Sequence, residues 1–330
     1  MFGRNAPVVK IRSHQPLGVQ RSKYNARSTT RQAVQANPIA LSFFGVPKDF
    51  SDGTRNTVYF GPSIAALTWI MSRIGTEMRA RLMAARIAPS TKTYNPDELT
   101  GLPEPVQKYF RTALTSGQPI VTAVEITQTG TFNMSTSGDK WKPFTATQLV
   151  IPRRPGFAWE ARIAMLPGVP VRVHDAYVAG EGILRATLFG LFSPANQRGT
   201  PEMARGELMR FLAEAAWYPT ALLPSQGVQW TAKDAASAVA TLRDGETEVA
   251  LLFRFSENGL IGSVHADARG RTVGKTIIST PWEGGWSDYE IHGGMCIPVQ
   301  GEVAWLLPEG PKPYWRGRIS TLRYNFEPHL

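Results

Sequence analysis

From Val121 to Tyr324 the chain is a succession of short segments that alternate apolar and polar residues, interrupted by one long helical stretch. This spacing constrains the fold more than any other feature. Parallel neighbours need a crossover of about a dozen residues or more, usually a helix. Most gaps here hold only a few residues rich in glycine, proline, asparagine or aspartate. In the first segment Val124, Ile126, Gln128, Gly130, Phe132 and Met134 share one face, while Glu125, Thr127, Thr129 and Thr131 share the other. The texture recurs at 144–151, 157–165, 169–178 and 182–189. It resumes at 228–233, 237–242, 247–253, 259–266, 272–279, 285–292, 301–307 and 314–324. Arg243, Asp244 and Gly245 read as a hairpin turn, in which glycine supplies positive φ. The expected fold is mainly β (α+β): a strongly curved antiparallel sheet, a half-barrel or partly closed barrel, with covering helices.

Three helical stretches accompany the strands. Residues 201–217 begin with Pro201 and Glu202 and stop before Pro219. Spacings of four and three put Arg210, Glu214 and Trp217 on one face, beside an apolar stripe of Leu208, Phe211, Leu212 and Ala215. Residues 102–114 form a short helix that buries Val106, Phe110 and Leu114. The uncharged stretch 57–72 contains Pro62 and ends at Arg73, so it falls short of the roughly 20 apolar residues a membrane span needs. Extended to Arg86 it becomes an arginine-rich amphipathic helix with Ile64, Leu67, Ile70, Met71, Ile74 and Met78 near helical spacing. Such a helix suits peripheral contact with an anionic membrane through 57–86, and equally suits a cover over one edge of the main domain.

The net charge of +10 is unevenly placed. No acidic residue precedes Asp49, and Arg4, Lys10, Arg12, Arg21, Lys23, Arg27, Arg31 and Lys48 carry eight of those charges. Residues 1–56 therefore read as a basic extension: a disordered arm, a processing segment or a start set too early. Residues 57–99 read as a helical segment and linker, and 100–330 as the curved β domain with helix 201–217. No aromatic-basic stripe follows the tail, which argues against a specific nucleic-acid partner. The early residues lack the apolar core of a secretory signal. The chain is compatible with a cytoplasmic or a membrane-associated location.

A set of residues spread over about 100–326 forms a composite pattern more specific than any single motif in it. It opens at Leu102-Pro103, Val106 and Tyr109-Phe110, then takes in Trp141, Phe144, Phe157-Ala158-Trp159 and Asp175-Ala176-Tyr177 with Gly180 and Gly182. It continues through Gly206-Glu207-Leu208, Arg210-Phe211, Glu214, Trp217 and Pro219. It closes with Trp286, Asp288-Tyr289, Gly293, Pro298, Glu302, Trp305 and Tyr314-Trp315-Arg316-Gly317. This set resembles an uncharacterised bacterial family with a conserved C-terminal domain of unknown function, and the resemblance names no reaction. It implies a curved sheet like the half-barrels of bacterial lipoprotein carriers, with helices on the concave side.

Candidate chemistry gathers in two places. Arg210 offers a planar donor fork, Glu214 one turn on can orient it or exchange protons, and Trp217 adds an apolar wall. The trio suits an anionic head, and reads equally as an intrahelical ion pair beside a packed tryptophan. On the strands, Asp175 and Tyr177 share a face, as do Trp286, Asp288, Glu290 and His292. Such alternation gives either a reactive row or the solvated face of a sheet. Arg210, Trp217, Tyr177, Trp286, Tyr289, Trp305 and Trp315 are the expected ligand-binding residues. Glu214, Asp288, Arg210, Asp175 and His292 are the candidates for acid/base work.

His14, His174, His265, His292 and His329 lack close metal-ligand spacing, and Cys296 is the single cysteine, so no metal is expected. No phosphate loop, serine elbow or full dinucleotide fingerprint is present, and no organic cofactor is expected. The sequence identifies no reaction. It favours a binding or carrier-like protein for a small amphipathic, hydrophobic or lipid-like ligand, with Arg210 available to an anionic one. The alternatives are a cofactor-independent enzyme using carboxylate acid/base chemistry on a similar ligand and a structural protein on a membrane surface. A shielded carboxylate facing a cavity would favour catalysis, and a long apolar tunnel without one would favour carriage.

Overall fold

The computed structural model describes residues 64–327 apart from 136–137, 167–168, 189–190, 193–196 and 274–275. The basic extension assigned to 1–56 lies outside the described residues, as does 57–63. Two helices precede the sheet, α1 (Ile64–Ala85) and α2 (Glu104–Ala113). Five long strands follow: β1 (Ala123–Asn133), β2 (Trp141–Ile151), β3 (Gly156–Leu166), β4 (Val169–Val178) and β5 (Glu181–Leu188). Two-residue strands β6 (Leu191–Phe192) and β7 (Gln197–Arg198) lead into α3 (Pro201–Glu214). The remainder is β8 (Gln229–Asp234), β9 (Ser237–Asp244), β10 (Thr247–Phe255), β11 (Ile261–Val273), β12 (Thr276–His292), β13 (Met295–Leu307) and β14 (Gly310–Asn325).

All described pairings are antiparallel, as the alternation predicts. The strands form one sheet in the order β6-β5-β4-β3-β2-β1-β14-β13-β12-β11-β10-β9-β8, with β7 beside β5. The ends do not meet, so the sheet is an open half-barrel rather than a closed barrel. Its curvature follows from the position of α3, which contacts β3, β4 and β5 on one side and β10 and β11 on the other. Between β4 and β11 the order interposes β3, β2, β1, β14, β13 and β12. Strands about 4.8 Å apart would hold those two some 34 Å apart in a flat sheet, against a helix only about 10 Å across. Only a sheet wrapped around α3 makes both contacts.

The main core fills the concave side, where α2 contributes Val106, Tyr109, Phe110 and Ala113, and α3 contributes Leu208, Phe211 and Leu212. A second, smaller core lies on the outer face. There Ile74, Met78 and Leu82 of α1, one per turn, pack with Leu149, Ile151, Ala158, Ala176 and Val178. Ile74 and Met78 therefore fit the reading of this helix as a cover over the main domain rather than lipid contact at those two positions, since β2, β3 and β4 cover them. No helix among the described residues is long and apolar enough to cross a membrane.

Candidate functional site

The site is built on α3. Thr200 caps the helix, its hydroxyl accepting from the Met203 N–H at 3.2 Å, and Pro201 occupies the first turn without wasting a donor. The first turn lies hard against β5 at Gly182, where a methyl group would stand 2.7 Å from the Met203 carbonyl carbon. Set this close, the helix turns Met203, Glu207, Arg210 and Glu214 toward a cavity of about 190 Å³, and Trp217 joins them from the 3-10 turn Ala215–Trp217 that follows. The spacings of four, three, four and three are those of one helical face.

One wall of the cavity is polar. Arg210 donates from Nε to Glu214 Oε1 at 2.7 Å and from NH1 to Asp175 Oδ2 at 2.5 Å. Its guanidinium also stands 4.6 Å from the Phe157 ring centre and 5.0 Å from that of Trp159. Gln148 on β2 donates to the other oxygen of Glu214 at 2.7 Å. Burial opposes the charge on Arg210, but Glu214, Asp175 and Glu207 outweigh it and hold the proton more tightly than usual. Burial pushes the Asp175 carboxyl up, against the pull of Arg210 and Arg269. Burial likewise raises Glu207 to about 8, reinforced by Asp175 and opposed by Arg269 and Arg210. Glu207 Oε2 and Asp175 Oδ1 are buried without a hydrogen-bond partner.

The opposite wall is aromatic. Trp217 meets Trp286 edge-on at 5.1 Å and Trp315 at 6.5 Å, and Trp305 stacks on Tyr314 at 5.6 Å. A register shift between Val303 and Ala304 leaves Tyr314 as an extra residue, and Tyr314 and Trp315 both line the cavity. Trp282 Nε1 donates to the Tyr314 hydroxyl at 2.9 Å. By contrast, the buried indole N–H groups of Trp217, Trp286 and Trp305 have no hydrogen-bond partner.

Of the residues singled out from sequence, Arg210, Glu214, Trp217, Asp175, Trp286, Trp305 and Trp315 come together around this cavity. Four others do not line it. Tyr177 is fully buried and donates to Asp244 Oδ2 at 2.9 Å, tying β4 to the β9–β10 turn. Tyr289 donates to the carbonyl of Ile261. The face expected for Trp286, Asp288, Glu290 and His292 breaks at Asp288, whose φ of 53° lies in the left-handed region. Trp286 lines the cavity, whereas Asp288 and Glu290 are exposed and receive Arg318 at 2.9 and 3.1 Å. His292 pairs with Glu290 at 3.1 Å, also away from the cavity.

Glu207 and Arg269 line the cavity although the sequence reading gave neither a role in the site, Glu207 entering only as part of the family pattern. Glu207 sits one turn before Arg210 on the same helical face, and that spacing could have revealed it. Arg269 could not be found by alternation. A register shift between Ala266 and Arg269 adds a residue to β11, and this bulge turns inward a side chain that strict alternation from Ala266 would send out. Its guanidinium lies 4.9 Å from the Trp282 ring centre.

Fold and site together define an open antiparallel β half-barrel that encloses helices and a cavity walled by tryptophans and a carboxylate–arginine cluster. The chain belongs to a family of unknown function, DUF6920, whose model matches residues 100–324. No curated protein matches the sequence. Among solved structures, a LolA superfamily protein from Nitrosomonas europaea aligns with 68% of this chain and 93% of its own, at 9% identity and a TM-score of 0.28. A β-barrel-like protein from Brucella abortus, of the domain of unknown function DUF1849, aligns with 62% of this chain and 99% of its own. Its identity is 10% and its TM-score 0.17.

Proposed function

We propose that the protein binds a small amphipathic molecule in the cavity between α3 and the sheet. The observation that carries this reading is the pairing of aromatic walls with buried polar atoms that lack partners. The N–H groups of Trp217, Trp286 and Trp305 and one carboxyl oxygen each of Asp175 and Glu207 have no hydrogen-bond partner among the described residues. An unmet buried polar group costs about 1–3 kcal/mol, so a bound molecule that meets several of them gains accordingly. The aromatic rings supply rigid contact area for its apolar part.

Native mass spectrometry of the untagged protein, followed by solvent extraction, tests the reading. A compound retained reproducibly by the wild type and lost on filling the cavity with Val303→Phe, at unchanged melting temperature, is the expected result. Equal retention by both proteins, or retention of nothing together with failure to take up small aromatic probes, overturns it.

A second reading is favoured by Glu207. A shielded carboxyl raised to about 8 on a cavity-lining residue is suited to proton transfer near neutral pH. In a cofactor-independent enzyme acting on a similar ligand, Glu207 is a better acid/base candidate than Glu214, which is held by both Arg210 and Gln148. Glu207→Gln separates the readings. A carrier variant still holds its compound and changes nothing in it, whereas an enzyme variant binds but loses turnover of the extracted compound.

A further inference from the structure

We propose that the cavity takes a compact monocarboxylate, the size of one ring or a short chain, with its head between Arg269 and Glu207. This rests on the binding reading above and names the class of ligand.

Size sets the first limit. An engineered cavity of about 150 Å³ takes up benzene, so one of about 190 Å³ admits little more than a ring with a small substituent. A long acyl chain would have to leave through the mouth.

Charge sets the second. Arg210 is already engaged by two carboxylates at 2.5 and 2.7 Å, and adding an anion there would break one of those pairs. Arg269 is different. It lines the same cavity and makes no hydrogen bond or ion pair among the described residues, its close contact being the face of Trp282. A bulge whose effect is to turn a cation into a cavity, where among the described residues no carboxylate pairs with it directly and Asp175 and Glu207 act on it only through space, is a feature that an anionic ligand explains.

Donor count sets the third. Among the described residues, three of the cavity-lining tryptophans hold buried indole N–H groups without a partner beside the Arg269 guanidinium, and Asp175 and Glu207 hold buried oxygens without one, so a ligand reaches these atoms only where the side chains turn toward it. With Glu207 protonated, its carboxyl joins the donors, and the occupant must be rich in acceptors. A carboxylate meets this with one negative charge. A phosphomonoester would bring about two charges near neutral pH to a single unpaired cation. The apolar part of the ligand then rests on Trp217, Trp286 and Trp315.

The groups facing Glu207 are Asp175 from β4, Arg210 and Glu214 from α3, and Arg269 from β11. Once Glu207 loses its proton it repels a bound carboxylate, so affinity falls as pH rises through about 8 while a neutral ligand is unaffected.

Isothermal titration of the full chain with benzoate, hexanoate, benzyl alcohol and benzylamine tests the assignment. Benzoate and hexanoate are expected to bind more tightly than benzyl alcohol, and benzylamine least. Arg269→Ala should weaken benzoate about tenfold or more, with benzyl alcohol changed less than about twofold. Arg269→Met, which keeps the apolar stem, guards against a folding effect and should behave alike. If benzyl alcohol binds as well as benzoate, or if both Arg269 variants leave benzoate unchanged, the carboxylate assignment falls while the cavity reading stands. If none of the four binds, or binding survives Val303→Phe, both fall.

Discussion

Trp286 on β12 is the direct cross-strand partner of Gly301 on β13, and its indole occupies the space a side chain at 301 would need. A methyl group there would stand 2.6 Å from Trp286 Cζ3. Gly301 is paired in turn with Gly317, and Gly317 with Gly130, so the row of glycines runs on across three strands. The Trp315 indole fills the corresponding space above Gly317. The aromatic wall of the cavity therefore depends on residues that have no side chain.

Gly301→Ala is predicted to displace Trp286 and destabilise the protein by about 1–3 kcal/mol, the usual range for overpacking. Urea unfolding measures the loss, and tryptophan fluorescence reports the shifted ring. Adding Trp286→Ala removes the clash, so the double variant should lose less than the sum of the singles. Strict additivity would show that the two residues do not compete for this space.

Arg210 is predicted to act first as a structural tether. Its side chain is 16% exposed, and those of Asp175 and Glu214 are 14% and 12% exposed. Arg210→Ala leaves two largely buried carboxylates without their cation and should cost about 3–5 kcal/mol in urea unfolding. Arg210→Lys should recover only part of it, because one ammonium cannot reproduce the guanidinium fork that serves two carboxylates. A loss below about 1 kcal/mol for the alanine variant would place the pair among surface ion pairs of little weight.

Much of this arrangement was legible in the sequence, and the exceptions have physical causes. Alternation over short segments dictates an antiparallel sheet, and helical spacing brings Arg210, Glu214 and Trp217 to one face. Both rules are local. They fail where the backbone leaves the regular pattern, at the β11 bulge that turns Arg269 inward and at Asp288 with its left-handed φ. They are also blind to distance. Alternation puts Tyr177 on the face of Asp175, but its partner Asp244 lies 67 residues away, so a structural hydroxyl resembles a ligand contact. The apolar spacing of α1 is legible too, while the strands that cover Ile74 and Met78 are not.

Tyr177 supplies the third prediction. Asp244 accepts from the Tyr177 hydroxyl at 2.9 Å and from Arg154 Nε at 3.1 Å, and its side chain is 6% exposed. Tyr177→Phe keeps the ring and removes one of the two bonds to a buried carboxylate. The expected cost is about 1–3 kcal/mol. Binding of any cavity ligand should be unchanged, since Tyr177 does not line the cavity. A variant that keeps its stability but loses ligand would return Tyr177 to the binding residues.

Glu207 makes stability depend on pH in a direction that can be worked out. Its carboxyl moves from an ordinary 4.5 to about 8 on folding. Between those values the folded chain holds a proton that the unfolded chain has released, so the slope of unfolding free energy with pH is negative. The contribution is whole below about pH 4.5, declines as pH rises, and is lost once pH passes about 8. Burial raises Asp175 as well, in the same direction, so part of the slope persists when Glu207 is changed. Glu207→Gln keeps the shape and cannot ionise. It should flatten the decline in urea midpoint between about pH 5 and about pH 9, and be more stable than wild type at the alkaline end by on the order of a few kcal/mol. Parallel pH profiles for the two proteins would mean that Glu207 is ionised at neutral pH in the folded chain, and the carboxyl would then be neither a hydrogen-bond donor nor a proton source for anything in the cavity.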